Sequence, residues 1–311
     1  MKEDKWGLCY TQNWRNKLHP DAIDHPAKIS YKLAERIYQH LNLSPKSRIL
    51  DPFAGVSCTA LHAMKYGYQW TGIEIEPKFV QLSQKNIDFW NQKYQTLPNW
   101  GTANIIHGDS TTIQINESFD AMITSPPYEG MMKKESSDEW IQHDANVRRA
   151  ERSKKPIHWS SPGRKRAIMG FYAGYGTEPN NLGNLTTHDF WDMMQQVIDN
   201  IYKHLKPNGY VVWVTKDLFR NRERIYIAEK IKEISQPQFN CIHHHQALLT
   251  EHYGTYLTLD NKEEPKTIKR ISFFRFMIEK HYPENVIDWE DIICLQKGEY
   301  KCTRDSQKPS T

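Results

Sequence analysis

At 311 residues, with 38% hydrophobic and 12% aromatic side chains, the chain can build a sizeable core in one large domain or two small ones. No stretch comes near the roughly eighteen unbroken apolar residues of a membrane span, and MKEDKWGLCYTQNW lacks the apolar segment of a secretory signal. This reading excludes a membrane-spanning or exported protein and places the chain in the cytoplasm. The net charge is only +4, and the five cysteines, odd in number, scattered and without a CxxC pair, count against a disulfide framework and a zinc knuckle and read as reduced thiols.

In chain order, ISYKLAERIYQHLNL sets Leu33, Ile37 and Leu41 at four-residue spacing, which predicts an amphipathic helix. RILDPF is a short apolar strand that breaks into AGVSC, and TALHAMKYG follows as a helix stopped by Gly67. YQWTGIEI is a second strand, with Pro77 opening the helix KFVQLSQKNIDFW; ANIIHGDS and FDAMITS are a third and a fourth strand. Strands alternating with helices at these lengths imply an α/β fold with a mostly parallel sheet covered on both faces.

Regularity lapses from about Glu129 to Thr187, too long a stretch for an idle loop, so it is either an inserted functional element or disorder. The helix DFWDMMQQVIDNIYKHL, the break KPNG and the strand YVVWVTKD come next, and two more strands are expected over FNCIHHHQALL and RISFFRFMIE. The expected organisation is one discontinuous domain over 1–128 and 188–298, an inserted basic element over 129–187, and a polar tail over 299–311.

Charge is not spread evenly. Between Lys133 and Gly170 ten bases face five acids, a local +5 that leaves −1 for the rest of the chain. A polyanion is the natural partner of such a patch, although a solvated surface loop has the same composition.

In an open parallel sheet, ligands bind beyond the carboxyl ends of the strands. Asp51, Phe53, Ala54 and Gly55 follow the first strand; Glu74 ends the second and could accept hydrogen bonds from two ribose hydroxyls; Asp109 ends the third after Gly108 and could receive an adenine amino group. Each acid alone could equally be a turn or cap residue, but three in succession suit a nucleoside, and the lack of GxxxxGK[ST] counts against a nucleoside triphosphatase.

DPFAG, GIEIEP, HGDS and TSPPY together resemble the S-adenosylmethionine-dependent DNA methyltransferases that modify exocyclic amines. The likeness runs from His25 to Tyr128 and from Asp189 to Asp217, and more weakly from Phe239 to Lys297. It implies a Rossmann-like class I methyltransferase fold with a seven-stranded sheet, and S-adenosylmethionine as cofactor. It also implies cofactor contacts at Phe53, Ala54, Gly55 and the flanking Asp51, at Glu74 with Ile75, at Asp109 with Ser110, and along His25, Pro26, Ala27 and Lys28, which resemble the segment that closes over the cofactor's methionine end. The family usually has a glycine where this chain has Ser57, so a side chain is expected to narrow the cofactor's approach.

An exocyclic amine is a weak nucleophile because its lone pair is delocalised into the ring. In TSPPY, the Ser125 hydroxyl and the Pro126 carbonyl can both accept from the amine, the rings of Pro126 and Pro127 stiffen the turn, and Tyr128 offers a face on which a flipped base can stack. No cysteine sits beside the motif, as carbon-5 cytosine methylation would require. Serine in the first position tilts the resemblance toward cytosine N4 and leaves adenine N6 open. An RNA base or a glutamine amide, and a non-catalytic DNA-binding protein with a vestigial pocket, stand as further alternatives.

With the catalytic loop directly before it, the basic segment becomes the expected DNA contact through Lys133, Lys134, Arg148, Arg149, Lys154, Lys155, Arg164, Lys165 and Arg166, with Tyr172 placed to stack on bases or to pack on the core. In CIHHHQ, His243 and His245 share a strand face, but no second ligand pair stands at zinc spacing. No metal is expected there, and these residues read as partly exposed histidines near nucleic acid.

Overall fold

The computed structural model describes residues 4–23, 25, 28–128, 176, 178–185, 187–220, 222–258, 260, 262–269 and 278–298. Pro26, Ala27, the tail and the whole basic segment, including Lys133, Lys134, Arg148, Arg149, Lys154, Lys155, Arg164, Lys165, Arg166 and Tyr172, lie outside them.

The strands of the main sheet are β1 (Asp4–Trp6), β2 (Arg48–Asp51), β3 (Gln69–Glu74), β4 (Thr102–His107), β5 (Phe119–Thr124), β6 (Leu205–Thr215), β9 (Phe239–Leu248) and β12 (Trp289–Lys297). They lie in the order β1-β9-β12-β6-β5-β2-β3-β4. Neighbours from β4 to β6 pair in parallel, and β12 runs antiparallel to both β6 and β9. The chain steps outward from β2 through β3 to β4 and then returns to β5 on the other side of β2. The reversal opens a crevice at the carboxyl ends of β2 and β5.

Two-residue alternation decides what each face buries. Ile49, Ala121, Ile123, Val212, Val214 and Ile292 join one apolar cluster; Leu50, Met122, Val211, Trp213 and Ile293 join the other. The first is covered by α1 (Tyr31–Leu41), α2 (Cys58–Lys65) and α3 (Pro77–Tyr94), and the second by α4 (Thr187–His204) and α5 (Ile227–Ser235). Each fully buried aliphatic side chain contributes about 1.5–3 kcal/mol, so both layers contribute to holding the sheet between them. In α1 the expected stripe is present through Leu33 and Ile37, and the helix ends at Asn42, whose left-handed φ of 42° lets its N–H reach Tyr38 O.

Seven strands stand in the expected doubly wound arrangement, joined by an eighth, β1, which pairs in parallel with β9. At three residues, β1 is too short to leave a periodic signal. The strand expected over RISFFRFMIE falls largely outside the described residues, and 278–281 are helical. The last sheet strand is β12, read from WEDIICLQK. Two small antiparallel pairs stand apart: β7 (Leu218–Arg220) with β8 (Glu223–Ile225), and β10 (Thr250–Leu257) with β11 (Glu263–Lys269). Among the described residues no helix is long and apolar enough to cross a membrane.

Candidate active site

The crevice widens into a cavity of about 350 Å³. Every described residue expected at the cofactor or the reacting base borders it, from His25 and Lys28 through Asp51, Gly55, Glu74 and Asp109 to Ser125 and Tyr128. Residues more than a hundred positions apart meet because successive parallel strands end on one edge.

The turn after β2 is held from α3, where Ser83 Oγ donates to Gly55 O at 2.8 Å and Asn86 Nδ2 to Val56 O at 2.8 Å. Gly55 has φ +54°, and a Cβ there would sit 3.3 Å from the His25 ring, which itself packs edge-on against Phe79. Lys28 Nζ donates to the carbonyls of Ile23 and His25, bracing this segment from within. Ser57 corrects one expectation. It takes φ +62°, is fully buried, has a hydroxyl without a hydrogen-bond partner, and does not border the cavity. Its side chain turns into the packed interior, so the cofactor's approach stays open.

Glu74 is 9% exposed. Its Oε2 accepts from Gly55 N at 2.8 Å and its Oε1 from Glu76 N at 2.9 Å. A carboxylate has about four acceptor directions, so two backbone donors leave one on each oxygen, which is what two vicinal ribose hydroxyls require. Burial pushes its carboxyl up to about 7, with the two N–H donors only partly offsetting the cost of the charge. The fit to a nucleoside therefore rests on the acceptors left to this acid and on the cavity before it.

Asp51, which borders the cavity, is also hydrogen-bonded through both oxygens. Its Oδ2 accepts from Thr59 Oγ1 and its Oδ1 from Thr124 Oγ1, both at 2.6 Å, and Trp70 Nε1 donates to Thr59 Oγ1 at 3.0 Å. Burial pushes Asp51 up to about 6. Thr124 immediately precedes Ser125, so this buried chain of hydrogen bonds fastens the Ser125–Tyr128 loop to the turn after β2. Ser110 Oγ ties a third strand end in, donating to Pro52 O at 2.6 Å.

Asp109 is committed on both oxygens, Oδ1 to the N–H and hydroxyl of Thr111 and Oδ2 to Asn180 Nδ2 at 2.9 Å. Asn180 belongs to EPNNL, a stretch that composition marks only as loop. Its neighbours grip Glu76: Glu178 N and Asn181 Nδ2 donate to Glu76 Oε1 at 3.0 and 2.7 Å. Asn180, Asn181 and Leu182 thereby form part of the cavity wall, which no sequence signal indicated.

On the loop side, Pro126 is buried, and Ser125, Pro127 and Tyr128 are half-buried. Pro126, Pro127 and Tyr128 also border a narrow crevice with Trp191 and Met194 of α4 and Ile227 of α5. Glu290 reaches the same cavity from β12 and accepts from Tyr10 Oη at 2.7 Å. Burial, then the nearby Glu290 charge, raises Tyr10 well above the ordinary phenol range and keeps it a donor. Glu290 was missed because only the antiparallel direction of β12 brings its amino end to this edge.

The histidines of CIHHHQ, expected to be partly exposed, differ in burial: His243 is exposed, but His244 and His245 are buried. The expected DNA contacts of the basic segment fall outside the described residues.

Residues 2–85 match a family model described as DNA methylase. The chain is 27% identical over 112 residues to a tRNA (guanine(10)-N2)-dimethyltransferase of Methanothermobacter thermautotrophicus, covering 35% of this chain and 30% of the relative. It is 38% identical over 65 residues to the type II methyltransferase M.BglI of Bacillus subtilis, covering 21% of this chain and 18% of the relative. The chain thus spans less than a third of the length of either curated relative. Among solved structures, TrmN from Thermus thermophilus is similar with a TM-score of 0.44 at 11% identity, over 86% of this chain and 49% of that one.

Proposed function

We propose that this chain, a member of the S-adenosylmethionine-dependent amino-methyltransferase family, methylates the exocyclic amine of a base in DNA, with cytosine N4 as the acceptor. One observation carries the reading: the Ser125-Pro126-Pro127-Tyr128 loop and the Glu74 carboxylate open on a single cavity of about 350 Å³. S-adenosylmethionine, when bound, supplies a methyl group made electrophilic by the positive sulfur.

The chain's own residues do the rest. Glu74 holds the ribose through its remaining acceptor directions, and His25 and Lys28 flank the cofactor's other end. Ser125 Oγ and the Pro126 carbonyl accept the two N–H groups of the amine and draw its lone pair out of the ring toward the incoming carbon. Transfer of the methyl would break its bond to the cofactor's sulfur as the bond to nitrogen formed, and one N–H proton would pass to water. Orientation alone is worth about 7–11 kcal/mol of the barrier, which is why the loop is braced by two prolines and tied through Thr124 to Asp51. A base in a duplex reaches this loop only after rotating out of the stack, with Tyr128 as its platform.

A second reading, an RNA base amine, is favoured by the similarity to the tRNA (guanine(10)-N2)-dimethyltransferase. Transfer of tritiated methyl from the cofactor to DNA, RNA and bulk protein separates the two, and sequencing of modified bases separates N4-methylcytosine from N6-methyladenine. Ser125→Ala and Tyr128→Ala are expected to lower kcat at least about a hundredfold while cofactor affinity persists. Label found only in RNA or protein sinks the DNA reading, and full turnover in both variants sinks the loop assignment.

A further inference from the structure

Outside the cofactor cavity, in the layer of the sheet that α1 covers, the topology assembles a second cluster. His243 and His245 project from one face of β9, and the register sets Cys294 of β12 opposite His243. The last turn of α1 brings His40 over them. His40 Nε2 and His245 Nε2 face each other at 3.3 Å, and a nitrogen of each lies with Cys294 Sγ in a group whose members are all within 4.8 Å of one another. His243 stands at the rim, its ring centre 5.3 Å from that of His40 and 5.6 Å from that of His245. None of the four borders the cofactor cavity.

We propose that His40, His245 and Cys294 form a zinc site, with exposed His243 or a water in the fourth position. Zinc binds imidazole nitrogen at about 2.0–2.1 Å and thiolate sulfur at about 2.3 Å, so adjacent nitrogens of a tetrahedral site stand about 3.3 Å apart and nitrogen and sulfur about 3.6 Å. The two Nε2 atoms are already at that spacing, and the sulfur has at most about 1.2 Å to close.

The surroundings fit a structural ion. His245 is 5% and Cys294 2% exposed, and Trp6 stacks on the His245 ring at 4.4 Å. His245 Nδ1 is buried without a hydrogen-bond partner and points to Asp4 Oδ2 3.9 Å away, the arrangement in which a carboxylate orients a ligating imidazole. Cys294 is pushed up to about 12 by burial, so it arrives as a thiol; zinc binding forms the Zn–S bond and releases that proton to water. Such an ion would fasten the end of α1 to β9 and β12.

The full chain, stripped with a chelator and dialysed, is titrated with Co²⁺ and then Zn²⁺. One equivalent per chain is expected, with tetrahedral visible bands, a thiolate-to-cobalt charge-transfer band, and a higher Tm with Zn²⁺. His40→Gln changes an exposed ligand and should weaken Zn²⁺ binding about a hundredfold or more, and Cys294→Ala should erase the charge-transfer band. A chain that shows no cobalt bands, in which the two Nε2 atoms merely share a proton, overturns the proposal. Bands and affinity unchanged in His40→Gln overturn it equally, because the metal is then elsewhere.

Discussion

Ser57 shows how much one residue can cost. A residue with a Cβ in the left-handed region loses about 1–2 kcal/mol, and a buried hydroxyl without a partner loses about 1–3 kcal/mol more. Ser57→Gly removes both penalties and should raise the unfolding free energy by about 1–2 kcal/mol in urea denaturation; an unchanged or lower value would refute the strain argument. Glu74 gives a second test. Donation from ribose hydroxyls favours the carboxylate, and the free protein's group titrates at about 7, so cofactor affinity should be full above that pH and fall toward tenfold per unit below it. Glu74→Gln should flatten this dependence and weaken binding about ten- to a hundredfold. Calorimetric titration from pH 6 to 8 reads both, and a wild-type affinity independent of pH removes Glu74 from the ribose contact.

At the scale of elements, α2 carries a buried imidazole into the layer under α1. His62 is fully buried, its ring centre 4.5 Å from that of Tyr31, and burial, then the Lys65 charge, pushes it down to about 3. Above its unfolded value near 6.5 both states are neutral and contribute no pH dependence. Below that value the unfolded chain takes a proton that the folded chain refuses, so stability falls as pH falls toward 3. At pH 5 the loss is about 2 kcal/mol relative to pH 7. His62→Leu should lose that much less between pH 7 and pH 5 in chemical denaturation, and equal losses in both proteins would sink the assignment. Periodicity made α1, α2 and α3 legible, since Leu33 and Ile37 recur on one face and Pro77 marks a first turn. The same method could not find β1, whose three residues carry no period, and it passed over β12 because a strand buried on both faces does not alternate in polarity.

For the whole molecule, the proposed DNA partner makes a charge prediction. Each phosphate contact contributes about 0.9 to the slope of log affinity against log salt, so neutralising Arg164, Lys165 and Arg166 together should lower that slope by up to about 2.7 in a binding assay; an unaltered slope would take this segment out of the interface. The sequence alone determined the local chemistry: an acid at a strand end after glycine, a rigid acceptor loop, helices and strands in alternation. These are properties of short windows, where turn preference, proline geometry and side-chain period act. Tertiary structure alone decided what meets across the sheet. It set Thr124 against Asp51, closed Asn180 over Asp109, brought Glu290 into the cavity, turned Ser57 away from it, and gathered His40, His245 and Cys294 into one cluster. The reason is physical: strand order and direction are fixed by burying two apolar layers at once, a condition on the whole chain that no window of residues contains.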